Sequence, residues 1–247
     1  MVANRQTLTW LSGALVVLAL ISAVVQLLFA SGVLLTPFDI ADFVDRLVAI
    51  RTDLERLLPL IIIGGVATLG AYLVVAMLGV ALRGWAEARP ARDVMTLLLV
   101  FGGLIGIGSQ LMHLGIHDAA RPFYCDCGYR PEEVIGLDSA LTVAESMFGW
   151  LTMGALSFVG VGVALAGRLV AVSAAWRILS YVIAAGLLVG VALRFVAALV
   201  FIEPFDPFQV SDVIVGITLG IVVPIWAILL ARGIPEPEAQ PVPAAVA

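Results

Sequence analysis

Six long apolar runs constrain the fold of this chain more than any other feature. Their approximate residue ranges are 8–35, 58–82, 94–117, 137–166, 178–202 and 210–230. A helix of about 20 apolar residues crosses the hydrocarbon core of a bilayer, and each run is at least that long. Only 13% of the residues are charged, about half the usual share in soluble domains. We therefore predict an all-α integral membrane bundle of six transmembrane helices, formed as one domain by residues 1–233.

Two segments outside the runs have their own patterns. Thr36 and Pro37 look like the cap and first residue of a helix. In the residues that follow, the apolar side chains fall on one stripe of a helix and most charged ones fall elsewhere. This pattern predicts an extracytoplasmic amphipathic helix between spans 1 and 2, which either lies in the interface or runs into span 2. Residues 234–247 are rich in Pro and Ala, and we predict a disordered cytoplasmic tail.

The distribution of arginine predicts the orientation. An even number of spans puts both termini on one side. The termini and the loops on that side carry seven arginines, against five in the other loops. Basic residues concentrate on the cytoplasmic side, so we predict cytoplasmic termini and a location in the inner (plasma) membrane of a bacterium. Trp10, Trp85 and Trp176 fall on the same predicted face, as an interfacial aromatic belt would require.

Glycine and proline mark places where the helices should pack closely or bend. The pairs Gly102–Gly106 and Gly186–Gly190 have the small-xxx-small spacing that lets two membrane helices approach. These glycine-rich faces also suit lateral packing against a membrane-protein partner or a second copy of the chain. Pro224 lies inside the sixth run and predicts a kink there.

Composition excludes several classes of function. The chain contains no lysine, so a retinal Schiff base, pyridoxal chemistry and lysine-based covalent catalysis are excluded. Its basic residues are few and scattered and the net charge is −5, which does not indicate a nucleic-acid partner. The expected surroundings are a lipid bilayer.

Polar residues of three runs fall at one depth on the predicted outer side. With a rise of 1.5 Å per residue, Gln110, Glu145 and Arg194 each lie about 10–12 Å from the outer ends of their helices. Ionisable groups inside a span cost about 2.5–3.5 kcal/mol. We therefore predict that Glu145 and Arg194 face each other in the interior, either as a structural ion pair or as part of a ligand pocket that includes Gln110.

The histidines and cysteines cluster after the third run. His113 and His117 are four residues apart and share one face of a helix, and Cys125 and Cys127 follow them. These side chains are candidate ligands of zinc, copper or iron, with Glu145 or Asp118 available to complete the set. The histidines could instead relay protons or contact a ligand, or serve only as a helix cap and a hydrogen-bonding group. The cysteines could instead form a disulfide with a partner or remain inert thiols.

These features favour a binding or accessory protein. Its outward-facing polar pocket would hold a metal ion or a small polar or lipid-derived ligand, and it could act as a subunit of a larger membrane complex. One alternative is a metal-dependent membrane hydrolase or redox enzyme, with Glu145 as acid/base or third ligand. The other is a transporter for a small solute or a proton. The polar residues lie only in the outer half, which disfavours transport.

Overall fold

The computed structural model describes residues 5–30, 43–120, 131–199 and 207–233. In these ranges the chain is helical except for two short loops, 84–89 and 170–173. The helices are α1 (Arg5–Ala30), α2 (Phe43–Arg83), α3 (Pro90–Ala120), α4 (Pro131–Leu169), α5 (Ala174–Leu199), α6 (Pro207–Ile217) and α7 (Val223–Gly233), with a π-helical turn (Thr218–Val222) between α6 and α7.

The six predicted spans are confirmed. Helices long and apolar enough to cross a membrane occur six times in the described residues, one for each apolar run. The sixth span consists of α6, the π-helical turn and α7. The predicted amphipathic segment is helical from Phe43 and continues without a break into span 2, so it takes the second of its two predicted forms. Thr36 and Pro37, the predicted start of that helix, lie outside the described residues, as do residues 234–247.

The six spans form a closed ring that follows the order of the chain. Each helix packs against its sequence neighbours, and α1 closes the ring by packing against α7 and the π-helical turn. Helices on opposite sides of the ring barely touch. Arg5, Gly233 and both short loops lie at one end, which we call the terminal end, and the opposite end is the distal end.

Close helix contacts depend on glycines at specific positions. A Cβ atom on Gly103 would lie 2.7 Å from the backbone oxygen of Tyr72, so α2 and α3 could not approach as they do. Gly102 faces Ala155 and Val159 of α4, whereas Gly106 faces the ring of Tyr72. The predicted Gly102–Gly106 pair therefore serves two neighbouring helices rather than one.

The second predicted glycine pair serves a single neighbour. Gly186 packs against Thr218, and Gly190 packs against Val215 and Ser211. Both glycines of this pair therefore bring α5 close to the sixth span.

The terminal end is tied together by its two loops and by a tryptophan stack. The backbone N–H of Glu87 donates to the carbonyl of Leu169 at 3.0 Å. Trp176 and Trp226 stack with ring centroids 5.4 Å apart. Trp176 is fully buried while Trp10 is 73% exposed. Trp176 lies at the predicted end of the bundle, but it packs in the interior rather than on the outer surface.

A π-helical turn lies just before Pro224, where the sequence predicts a kink, and the kink itself stays a prediction. The N–H of Val223 donates to the carbonyl of Thr218, five residues earlier, which defines the π-helical turn. Proline has no N–H to donate in the next position and its ring crowds the preceding turn. The wider π-helical turn accommodates this loss, and such turns are frequent at functional sites.

Candidate functional site

A narrow cavity of about 90 Å³ runs along the centre of the ring. Residues of all six spans line it, and almost all of them are aliphatic or aromatic. Four of the lining side chains carry a hydroxyl or amide group: Ser22, Gln26, Thr68 and Tyr72. None of the lining residues carries a formal charge, so the cavity suits an apolar chain better than an ion.

The two ends of the cavity differ. At the terminal end it is lined by Leu82, Ala166 and Trp226, whose exposed fractions are 0%, 0% and 4%. Toward the distal end it reaches Gln26, which is exposed. From Leu82 to Thr68 the cavity extends about 20 Å along α2. It is therefore closed and apolar at the terminal end and reaches the surface in the distal half.

Uncharged polar side chains pair between helices in the distal half. The hydroxyls of Ser22 and Thr68 lie 2.7 Å apart and join α1 to α2. Those of Ser109 and Thr152 also lie 2.7 Å apart and join α3 to α4. We call these four residues, together with Gln26, the distal polar belt. Pairing is required because an unbonded hydroxyl is costly in an apolar interior.

Gln110, a predicted pocket residue, is 7% exposed. Gly106 of α3 lies against Tyr72 of α2, and Leu114 lies against Gly65. Gln110 is midway between the two positions on α3, so it lies at the level of Thr68 on the antiparallel α2. The depth is that of the distal polar belt.

Arg194 forms an ion pair with Asp212 of α6. Its Nε also donates to the hydroxyl of Ser211 at 3.3 Å, and that hydroxyl donates to the carbonyl of Gly190 at 2.8 Å. Both side-chain partners of Arg194 belong to α6, and its side chain is 25% exposed, so Arg194 lies between α5 and α6 at the distal end.

Asp212 was not among the site residues predicted from the sequence. A signal was present, because Asp212 is the one charged residue in the sixth apolar run. Both Arg194 and Asp212 lie five residues from the distal ends of their helices, about 7–8 Å along the axis. Glu145 belongs to α4, but its side chain is outside the described part of the structure. The predicted Glu145–Arg194 pair stays a prediction.

The four candidate metal ligands are only partly described. The ring of His113 stacks on Phe148 of α4, with centroids 4.6 Å apart and planes 23° apart. His117 lies in the last turns of α3, with its side chain outside the described set, and Cys125 and Cys127 lie in residues 121–130, which are not described. Among the described side chains, no three His, Cys, Asp or Glu come together to hold a metal. The zinc, copper or iron site stays a prediction.

Comparisons of the chain with protein-family models, with curated proteins and with solved structures give no match. The fold and the site therefore define the class by themselves: a multi-pass helical protein of the membrane type, with a central cavity that is apolar at one end and polar at the other.

Proposed function

We propose that this protein binds an amphiphile with a single unbranched apolar chain. The chain would lie in the central cavity, and the polar head would contact the distal polar belt. The observation that carries this proposal is the polarity gradient of the cavity: Leu82, Ala166 and Trp226 enclose one end, while Ser22 and Gln26 line the other. A gradient of this kind fixes the direction in which an amphiphile enters.

The dimensions of the cavity favour a thin chain over a compact solute. Its volume of about 90 Å³ is below the roughly 150 Å³ of an engineered cavity that holds benzene. That volume is spread over a length of about 20 Å. A ring system or a hydrated solute would need the helices to separate, whereas an alkyl chain needs only a narrow channel with apolar walls.

Arg194 and Asp212 would act at the head of the ligand. Both lie in the distal half, and the side chain of Arg194 is 25% exposed. A guanidinium donates in a planar fork that suits phosphate or carboxylate groups. The polar pocket predicted from Gln110, Glu145 and Arg194 would then be the head-group end of the same site. With cytoplasmic termini, as the arginines predict, that end opens to the outer leaflet of a bacterial inner membrane.

The roles of metal centre and accessory subunit remain compatible with this proposal. A metal held by His113, His117, Cys125 and Cys127 would lie at the distal end, beside the head of the ligand. The exposed apolar surface of the ring would contact lipid or, in a complex, a partner protein or a second copy of the chain. The hydrolase and transporter alternatives gain no specific support from the described residues.

Tryptophan fluorescence tests the proposal, because Trp226 lines the closed end of the cavity. In a variant with Trp10, Trp85 and Trp150 replaced by Phe, the remaining indoles are the buried Trp176 and Trp226. A long straight-chain alcohol with bromine on its terminal carbon should quench them. The same alcohol with bromine beside the hydroxyl should quench them much less.

A filled cavity supplies the control. Ala71 lines the cavity, and Ala71→Leu should abolish the quenching by the terminal bromine. Ala14 is exposed on the outside of α1, and Ala14→Leu should leave the quenching unchanged. Equal quenching by the two brominated alcohols, or none by either, would overturn the proposal.

A further inference from the structure

We infer that the ligand enters the cavity sideways from the distal leaflet, through an opening between α1 and α6. This inference rests on the proposed function, and it names the source of the ligand as the membrane rather than the water phase. It follows from the contacts between neighbouring helices. These contacts differ among the six helix–helix interfaces of the ring, which we call seams.

Five seams are closed in the distal half by a described contact. Val25 lies against Gly64 between α1 and α2, and Leu114 against Gly65 between α2 and α3. The other three contacts join α3 to α4, α4 to α5 and α5 to α6: they are His113–Phe148, Trp150–Phe195 and Arg194–Asp212.

The sixth seam, between α1 and the sixth span, has contacts mainly toward the terminal end. In the described residues, α1 packs against α7 and the π-helical turn but hardly at all against α6. Ala23 of α1 contacts Gly220 of the π-helical turn, where an added Cβ would lie 2.7 Å from the Cβ of Ala23. Beyond Ala23, α1 continues for about 10 Å toward the distal end. Because α1 hardly contacts α6 in the described residues, the two helices diverge from Ala23 toward the distal end.

The surroundings of Gly216 on α6 also indicate that the two helices diverge. It precedes Gly220 by four residues, so the two share roughly one face of the helix. A Cβ on Gly216 would meet no described atom within 4 Å, in contrast with Gly220. The face of the sixth span that contacts α1 at Gly220 therefore has no described neighbour one turn closer to the distal end.

The opening leads into the cavity. Ala23 and Gly220, at the edge of the opening nearer the terminal end, both line the cavity. Gln26, one turn above Ala23, lines the cavity and is also exposed. Neighbouring residues on the outside are apolar and exposed: Leu27 is 68% and Val213 is 60% exposed. An apolar rim around a polar amide suits a chain that arrives from lipid with its head near the interface.

The test measures how fast the terminally brominated alcohol, supplied in vesicles, quenches Trp176 and Trp226. Gly216→Phe places a ring in the open space, and we expect it to slow quenching at least about tenfold, which corresponds to about 1.4 kcal/mol in the barrier. Gly108→Phe is the matched control: Gly108 is exposed on α3, with no described atom within 4 Å of an added Cβ. It should leave the rate unchanged. Gly216→Leu, a smaller change, should give an intermediate rate.

The outcomes separate the two proposals. If the protein with Gly216 intact shows no quenching by the terminal bromine, the proposed function fails. If it shows quenching but Gly216→Phe and Gly216→Leu do not slow it, the lateral opening is wrong and the ligand enters from the distal mouth of the ring. Slow quenching in Gly108→Phe as well would also overturn the inference, because the effect would then not be specific to the seam.

Discussion

Arg194 of α5 and Asp212 of α6 pair at the same height in the bundle, each five residues from the distal end of its helix. The side chain of Arg194 is 25% exposed and that of Asp212 is 61% exposed. The pair therefore lies at the open end of the ring rather than in its core. It links α5 to α6 in the distal half of the bundle.

This ion pair should couple the two helices measurably. In a double-mutant cycle with Arg194→Gln and Asp212→Asn, we expect a coupling of about 0.5–1 kcal/mol in the free energy of unfolding. Titration with a denaturing detergent measures it. Arg83–Asp93 at the terminal end provides the control, because its side chains are 54% and 53% exposed. A coupling at Arg194–Asp212 no larger than at Arg83–Asp93 would contradict the prediction.

The same cycle tests the pair that the sequence analysis predicted. If Glu145 also contacts Arg194, Glu145→Gln and Arg194→Gln will show a coupling of their own. Independent effects of the two substitutions would mean that Asp212 is the partner of Arg194 and that Glu145 has another role.

The hydrogen bond from Trp226 to Ser180 should matter more than other serine hydrogen bonds in the bundle. The indole N–H donates to the hydroxyl oxygen at 2.8 Å, and both residues are buried. Ser180→Ala leaves that N–H without its acceptor, which costs about 1–3 kcal/mol in an apolar interior. We expect this loss in the free energy of unfolding.

Ser157→Ala is the control for that substitution. The hydroxyl of Ser157 donates to the carbonyl of Met153 within its own helix, so its removal leaves no donor unpaired. Its effect should stay within about 0.5 kcal/mol. Equal effects of Ser157→Ala and Ser180→Ala would show that the Trp226 bond adds nothing to stability.

Close packing of α2 on α3 should make Gly103 intolerant of any side chain. A Cβ there would lie 2.7 Å from the Tyr72 carbonyl oxygen and from the Cβ of Ala76, and the helices would have to separate. We expect Gly103→Ala to destabilise the fold by roughly 1–3 kcal/mol. Gly108→Ala, in open space on the same helix, should be neutral or stabilising by up to about 1 kcal/mol. A neutral Gly103→Ala would contradict the described packing.

The sequence predicted the spans well because the bilayer imposes a simple rule. A helix must be apolar for about 20 residues to cross the hydrocarbon, and that signal is local. Rotation about each helix axis is not local, because it depends on neighbours far away in the chain. Gly102 and Gly106 could therefore be found from the sequence, but not the fact that they face different helices. The end of the bundle at which Trp176 lies could likewise be predicted, but not its burial.

The central cavity was hidden from the sequence for a related reason. Its wall consists of ordinary aliphatic residues that, in one dimension, resemble any lipid-facing position. Only closure of the ring brings Leu15, Leu99 and Leu187 around one space. The depth of the polar residues, by contrast, could be estimated from residue spacing, and Asp212 would have emerged if the sixth run had been treated like the others.

Elemental analysis of the purified protein tests the predicted metal site. Purified protein should carry near-stoichiometric zinc, copper or iron, and both His117→Ala and the double variant Cys125→Ser/Cys127→Ser should lose it. For His113 the informative substitution is Phe, because it keeps an aromatic ring against Phe148 while removing the ligand nitrogens. His113→Phe should therefore lose the metal without a large loss of stability. Protein with His113 and His117 intact but no bound metal would rule the site out and leave the proposed amphiphile as the candidate ligand of the polar distal end.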